Sequence, residues 1–329
     1  MGPFLADCHL HFEGSVPIEV IERFARRAGH PFADRAAWQE RRNAVSDAAS
    51  FLALYAEICR LFRSAQDYGE AARELPGSLA AGGVGYAEVY VSPEIFARLG
   101  LDPGECLCAV DEGLQAGAAA GGASCRILLD GVRHWGPESA DRVLDLYERH
   151  PLPSIVGFGI GGDELAVGAA AFAGIYARAR ALGLKTSVHA GEWGGAASLS
   201  ETLDALRPDR LDHGIAAAAD RDLLERLADE GTTLCIAPSG NVATGAVAGF
   251  ASHPLPLLIE AGVRVALSAD DPLLFETTTE GEYRVARERL GLSDLQLRRI
   301  AENSWRAAFC APKERAAGIA GLADFHLPG

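Results

Sequence analysis

The stretch Lys185-Thr-Ser-Val-His-Ala-Gly-Glu192 sets a candidate metal ligand, His189, three residues before a candidate proton donor, Glu192. Thr186 to Val188 are β-branched or small, which suits a buried strand, and Ala190-Gly191 then lets the chain turn. Alone, His-x-x-Glu says little, but three other segments end in the same way. His9-Leu10-His11 closes an apolar run, and strand alternation puts both imidazoles on one face. Inside a barrel, two histidines are costly unless they bind something or are hydrogen-bonded in the core. Asp212-His213-Gly214 ends a second run. Asp270-Asp271-Pro272 ends a third, behind Val263, Val265 and Leu267. An acidic pair there is unfavourable without a cation or donors nearby. Three histidines and a carboxylate from different strands would suit a single Zn2+.

These residues need elements that bring their ends together. Apolar runs at 5–9, 86–91, 125–129, 155–160, 186–189, 210–213, 233–237 and 264–268 alternate with longer helix-like stretches. Eight such βα units, with no Ser/Pro-rich linker, predict an α/β fold, a (β/α)8 TIM barrel forming a single domain over 1–329. A doubly wound sheet is the other arrangement, but Gly-x-Gly-x-x-Gly is missing after the first run. A barrel would set its chemistry at the C-terminal rim, where all four motifs fall. The interval 17–84 must carry extra helices between strands one and two. Within it Phe51, Leu54, Tyr55, Ile58, Leu61 and Phe62 have helical spacing. That stripe reads as core-facing, or alternatively as a lid over substrate. The segment from Leu292 reads as helix and then a frayed tail.

Composition narrows the partners. The net charge of −15 argues against nucleic acid or an anionic membrane surface, and also serves solubility. MGPFLADCHLHF has no basic start or long apolar run, which reads as no signal peptide. No stretch approaches the roughly 20 apolar residues of a membrane span. Seven cysteines, an odd count without Cys-x-x-Cys, support neither a disulfide framework nor a thiolate zinc site. A reduced, cytoplasmic protein fits that pattern.

The same motifs carry a family resemblance. His-Leu-His-Phe-Glu-Gly (9–14), Gly-Gly-Asp-Glu (161–164), His-Ala-Gly-Glu (189–192), Asp-His-Gly (212–214) and Ser-Ala-Asp-Asp-Pro (268–272) occur in the order typical of the adenosine deaminase family. Tyr86-Ala-Glu88, Arg133-His134 and Asn241-Val-Ala-Thr-Gly245 extend the likeness from Ala6 to about Glu302. The resemblance implies a metal-dependent amidohydrolase-type barrel with one Zn2+ per chain, held by His9, His11, His189 and Asp270. It implies that Glu192 protonates the purine at N1, while His213 and Asp271 manage the attacking water. His11, Glu13, Gly162 and Asp271 are the implied substrate-binding residues, with Gly162 meeting the purine through its backbone and Glu13 standing where the family often has a ribose-contacting acid. A carboxyl kept neutral by apolar walls could donate the required proton, and Trp193 and two glycines, not cations, follow Glu192.

The expected reaction is hydrolytic deamination of a 6-aminopurine, a small-molecule substrate: adenosine by default, adenine or a sugar-modified adenosine as the alternative. The chain departs from the family pattern at Tyr90, often Arg, at Asp212, often Gly, at Glu13, often Asp, and at Ala237-Pro-Ser-Gly-Asn241. Tyr90, Asp212 and the 237–241 segment are not expected to touch an implied metal ligand; they are expected near the rim, where, with Glu13, they bear on substrate choice. A hydrolase of another C–N or ester bond on the same barrel, or a non-catalytic binding protein, remain the other classes. His11-Phe-Glu13 matches half of a cytidine-deaminase signature, but the Pro-Cys-x-x-Cys half is absent. A two-metal site bridged by a modified lysine lacks its lysine, since only Lys185 and Lys313 occur.

Overall fold

The apolar runs form parallel strands. The computed structural model describes residues 4–323, so 1–3 and the end of the expected tail, 324–329, lie outside the described residues. The strands are β1 (Leu5–His11), β2 (Val84–Val91), β3 (Ser124–Val132), β4 (Ile155–Gly161), β5 (Lys185–Thr186), β6 (His189–Ala190), β7 (Arg210–His213), β8 (Thr233–Ile236) and β9 (Arg264–Leu267). They pair in parallel as β1-β2-β3-β4-β5 and β6-β7-β8-β9. The expected fifth strand is split at Ser187-Val188, yet the chain still bridges both sheets. Ser187 N donates to Phe158 O at 3.1 Å, and Asp212 N donates to Val188 O at 2.9 Å.

The other seam closes at the catalytic end. Leu10 bridges Asp270 in parallel, His11 N donates to Asp270 O at 3.0 Å and Asp270 N to His9 O at 3.1 Å. The fold is therefore the expected α/β TIM barrel, and its closing hydrogen bonds fix three implied metal ligands to one another. Asp7 reinforces that seam from inside. Its carboxylate accepts from Ala269 N at 2.9 Å and Thr279 Oγ1 at 2.6 Å. Deeper in the barrel Arg210 meets Glu88 at 2.7 Å, both fully buried. Removing one partner would leave an uncompensated buried charge.

After a short helix at Phe12–Ser15, four longer helices fill the interval between β1 and β2: Ile18–Ala28, Arg35–Asn43, Ala48–Cys59 and Ala65–Ala81. Asp47 caps the helix Ala48–Cys59 by accepting from Ser50 N at 2.8 Å, and the Ser50 hydroxyl oxygen accepts in return from Asp47 N. Its Phe51, Leu54 and Ile58 are buried, so the core-facing reading of the stripe holds for those positions. Phe51, Tyr55 and Cys59 also border the large cavity at the strand ends. One helix thus both packs on the barrel and walls the site.

Candidate active site

Pleat alternation in β1 turns His9 and His11 to the same side, and β6 brings His189 against them. The three Nε2 atoms lie 2.9 Å (His9–His189), 3.0 Å (His11–His189) and 3.3 Å (His9–His11) apart. Asp270 Oδ1 is 3.2 Å from His9 Nε2 and 3.3 Å from His11 Nε2. Asp270 holds φ of 60° and His213 φ of 63°, left-handed conformations that cost a non-glycine residue about 1–3 kcal/mol. The backbone bonds from β1 hold Asp270 there. Strain at two strand ends on one rim, after β7 and β9, points to a functional site.

Three imidazoles this close cannot all satisfy one another. His189 Nδ1 faces Ile160 O at 3.0 Å, so that nitrogen carries the proton and Nε2 offers a lone pair. The spacings approach the ~3.3 Å edge of a tetrahedron with metal–nitrogen bonds of about 2.0–2.1 Å. The donor set therefore fits one divalent cation. Behind it, two of the departures from the family pattern prove to be partners. Tyr90 Oη donates to Asp212 Oδ2 at 2.5 Å, and Ser187 Oγ donates to the same oxygen at 2.9 Å. Asp212 Oδ1 lies 3.8 Å from His9 Nδ1, and neither atom has another partner. Asp212 and Tyr90 thus stand behind the ligands, not at the rim where the sequence suggested.

Glu192 sits beside the cluster with His213. His213 Nε2 is 3.3 Å from Glu192 Oε2. Asn241 Nδ2 donates to Glu192 Oε1 at 3.0 Å and to His213 Nδ1 at 3.1 Å. The amide is oriented by His253, whose Nε2 is 3.4 Å from Asn241 Oδ1. Because His213 Nδ1 accepts, its proton is on Nε2, facing the cluster. Burial, reinforced by Asp270, pushes the Glu192 carboxyl well above its usual range, which favours its protonated form. Burial also holds His213 down to about 3, an uncharged imidazole. Both Asp271 oxygens are buried without a partner, and burial with the adjacent Asp270 carboxylate raises its pKa.

The loop carrying Glu192 is clamped by Glu164. Its carboxylate accepts from the backbone N–H groups of Gly191 (2.6 Å), Glu192 (3.0 Å), Trp193 (2.8 Å) and Gly194 (2.9 Å), and from Ser198 Oγ (2.9 Å). Arg133 Nη2 donates to His189 O at 2.6 Å. Glu164 and Arg133 were visible as motif residues, but nothing local in the sequence says what they hold.

A cavity of about 480 Å³ opens over these groups, reached by His11, Gly162, His189, Glu192, His213 and Asp271 among others. Gly162 borders the cavity; its φ of 91° and the 2.9 Å at which a Cβ would meet His134 Nδ1 require glycine there. Glu13 is placed differently. It is buried beneath Tyr55 and Tyr68, whose hydroxyls donate to it at 2.8 and 3.3 Å, which sets tyrosine between this acid and the cavity. Asn241, Thr244, Asp130 and Ser92 border the site without having been singled out as functional residues. Asp130 lies just past the end of the apolar run at 125–129, a position the strand-end rule could have flagged.

The chain is similar to known deaminases over nearly its whole length. The family model for adenosine deaminase covers residues 4–324. An adenine deaminase of Chelativorans sp. (strain BNC1) is 38% identical over 322 residues, 96% of this chain and 97% of its own. The crystal structure of adenine deaminase from Arthrobacter aurescens superposes with a TM-score of 0.92 at 31% identity, covering 98% of each chain. An amidohydrolase from Burkholderia ambifaria, solved with bound Zn, has a TM-score of 0.89 at 23% identity, covering 97% of this chain and 89% of the other.

Proposed function

We propose that this chain, which belongs to the adenosine deaminase family and hydrolytically deaminates an aminopurine, acts on adenine and forms hypoxanthine and ammonia. Adenosine, the default expectation from the motifs, yields to its stated alternative. Relatives matching nearly the whole chain at 38% and 31% identity carry the name adenine deaminase. The observation that carries the chemistry is the arrangement itself. A buried Glu192, an oriented His213 and an unpartnered Asp271 share one cavity with three converging imidazoles.

The family is metal-dependent, and Zn2+ is the proposed ion, one per chain, held by His9, His11, His189 and Asp270. The Zn-bound relative and the nitrogen-rich donor set support that choice. When bound, such an ion supplies a Lewis acid that makes water acidic near neutral pH.

The side chains do the rest. Gly162 offers backbone to the purine. Glu192 gives its proton to N1, which turns C6 into an electrophile, and Asn241 and Thr244 aim the carboxyl. His213, protonated on Nε2, stabilises charge on the attacking water oxygen. Asp271 takes the water proton and returns it to the departing amine. Water adds at C6, the C6–N6 bond breaks, ammonia leaves, and the C6 hydroxyl proton returns to Glu192 to give the 6-oxopurine.

His11 and Asp271 contribute to the substrate wall as well. The proposed setting is the cytoplasm, supported by seven cysteines that are all free. No helix among the described residues is long and apolar enough to cross a membrane. The test is product analysis on metal-loaded protein: adenine should yield hypoxanthine and ammonium in equal amounts. Binding of adenine without either product would refute the reading.

A further inference from the structure

The cavity holds a carboxyl that this mechanism does not use. Asp130, near the C-terminal end of β3, is 4% exposed and borders the cavity. Ser92 Oγ, from the end of β2, donates to Asp130 Oδ2 at 2.6 Å, which fixes the rotamer. Oδ1 is buried and makes no well-formed hydrogen bond. A buried acceptor in that state is costly unless a ligand brings a donor. Burial raises this carboxyl to about 7, with Ser92 and the Gly161 amide pulling the other way. The contributing groups include Glu13 and Asp212 but no cation.

Strand order decides which part of a purine reaches it. His213 ends β7, and Asp270 follows β9 and joins β1, so the reacting groups occupy that side of the mouth. β3 pairs with β2 and β4 and lies across the mouth from β8, the strand between β7 and β9. A purine with C6 and N1 at Glu192 and His213 therefore points its imidazole ring towards β2–β4. A free base carries an N–H on that ring. A nucleoside carries carbon there instead.

We propose that Asp130 is the residue that selects a free base over a nucleoside, its Oδ1 accepting the hydrogen bond of the imidazole-ring N–H. The assignment rests on the adenine reading above and names the contact behind it. A site built to pair a substrate N–H rejects an analogue lacking it much more strongly than an apolar pocket rejects one extra group. In a nucleoside the donor is lost and the sugar meets a buried carboxyl.

The test uses two isosteres, 7-deazaadenine and its furo analogue, which carry N–H and O respectively at the position of N9. Wild-type protein should bind the N–H compound more tightly by on the order of 10- to 100-fold, measured as inhibition of adenine turnover. In Asp130→Asn the Ser92 hydroxyl should hold the amide oxygen and turn the amide N–H to the cavity, so the ratio falls to near one or inverts. Asp130→Ala should bring it near one. Metal content and melting temperature accompany each variant, and if neither variant folds the wild-type ratio alone decides. A wild-type ratio near one, or a ratio unchanged in both variants, overturns the role of Asp130 while adenine turnover stands. Preference of the wild type for adenosine over adenine overturns both.

Discussion

Asn241→Ala isolates the orientation of the acid from the metal cluster. The amide donates to Glu192 Oε1 at 3.0 Å and His213 Nδ1 at 3.1 Å, and it touches none of the four proposed ligands. Each hydrogen bond contributes about 0.5–1.5 kcal/mol, so losing both removes about 1–3 kcal/mol from the arranged state. At about 1.4 kcal/mol per tenfold in rate, kcat/KM for adenine should fall about 5- to 150-fold. Metal content should not change. The pH profile supplies a second readout. Burial is the main cause raising Glu192, and the Asn241 donor opposes it, so removing the donor raises the pKa further. Glu192 acts only while protonated, hence activity declines as pH rises through that pKa. The alkaline limb should move to higher pH in the variant. Steady-state kinetics across pH with metal analysis would decide it. A kcat/KM within twofold of wild type and an unmoved limb, or activity lost in step with metal, would refute the reasoning.

Other substitutions probe separate parts of the site. His189→Ala should leave a folded protein that no longer holds metal through dialysis, and stoichiometric metal by elemental analysis would remove His189 from the ligand set. Asp212→Asn should weaken metal binding about 10- to 100-fold in chelator competition, because the carboxylate backs His9; unchanged affinity would make it purely structural. In Gly14→Ala the new Cβ would fall 1.6 Å from Asp271 Oδ1, so the carboxyl must move. Turnover should then drop by on the order of 10²-fold with metal retained, and near-normal turnover would exclude Asp271 as proton carrier. Burial holds His253 down to about 4. As pH falls from 6.5 to 4 the unfolded chain takes up a proton that the folded chain does not. Stability present above pH 6.5 is lost through that window, by on the order of 3 kcal/mol for this group. In urea unfolding, His253→Asn should show a shallower loss between pH 7 and 5, and an identical slope would contradict it.

The legible parts of the sequence were those where a local pattern has one physical meaning. Apolar runs of strand length marked the barrel staves, and polar residues closing them marked the rim, so His9, His11, His189, His213 and Asp270 could be gathered before any geometry. The same habit hid Asp130. The run at 125–129 is apolar and stops at the carboxyl, whereas the strand continues to Val132 because its last residues still pair with β4. Strands whose ends carry chemistry look shorter than they are. The break at Ser187-Val188 was equally hidden, since pairing depends on neighbours far away in sequence. Tyr90 and Asp212 appeared as two unrelated departures, and only folding joins them through a hydrogen bond across 122 positions. Glu13 shows the converse. Its place in the motif implied substrate contact, but Tyr55, 42 residues on, covers it.

The central claim is that the cavity converts a free aminopurine base. A competition experiment tests it most directly: equimolar adenine and adenosine with metal-loaded protein, followed by chromatography of hypoxanthine and inosine. The account predicts that hypoxanthine forms first and that inosine rises only after adenine is exhausted, if at all. Inosine appearing ahead of hypoxanthine would contradict it.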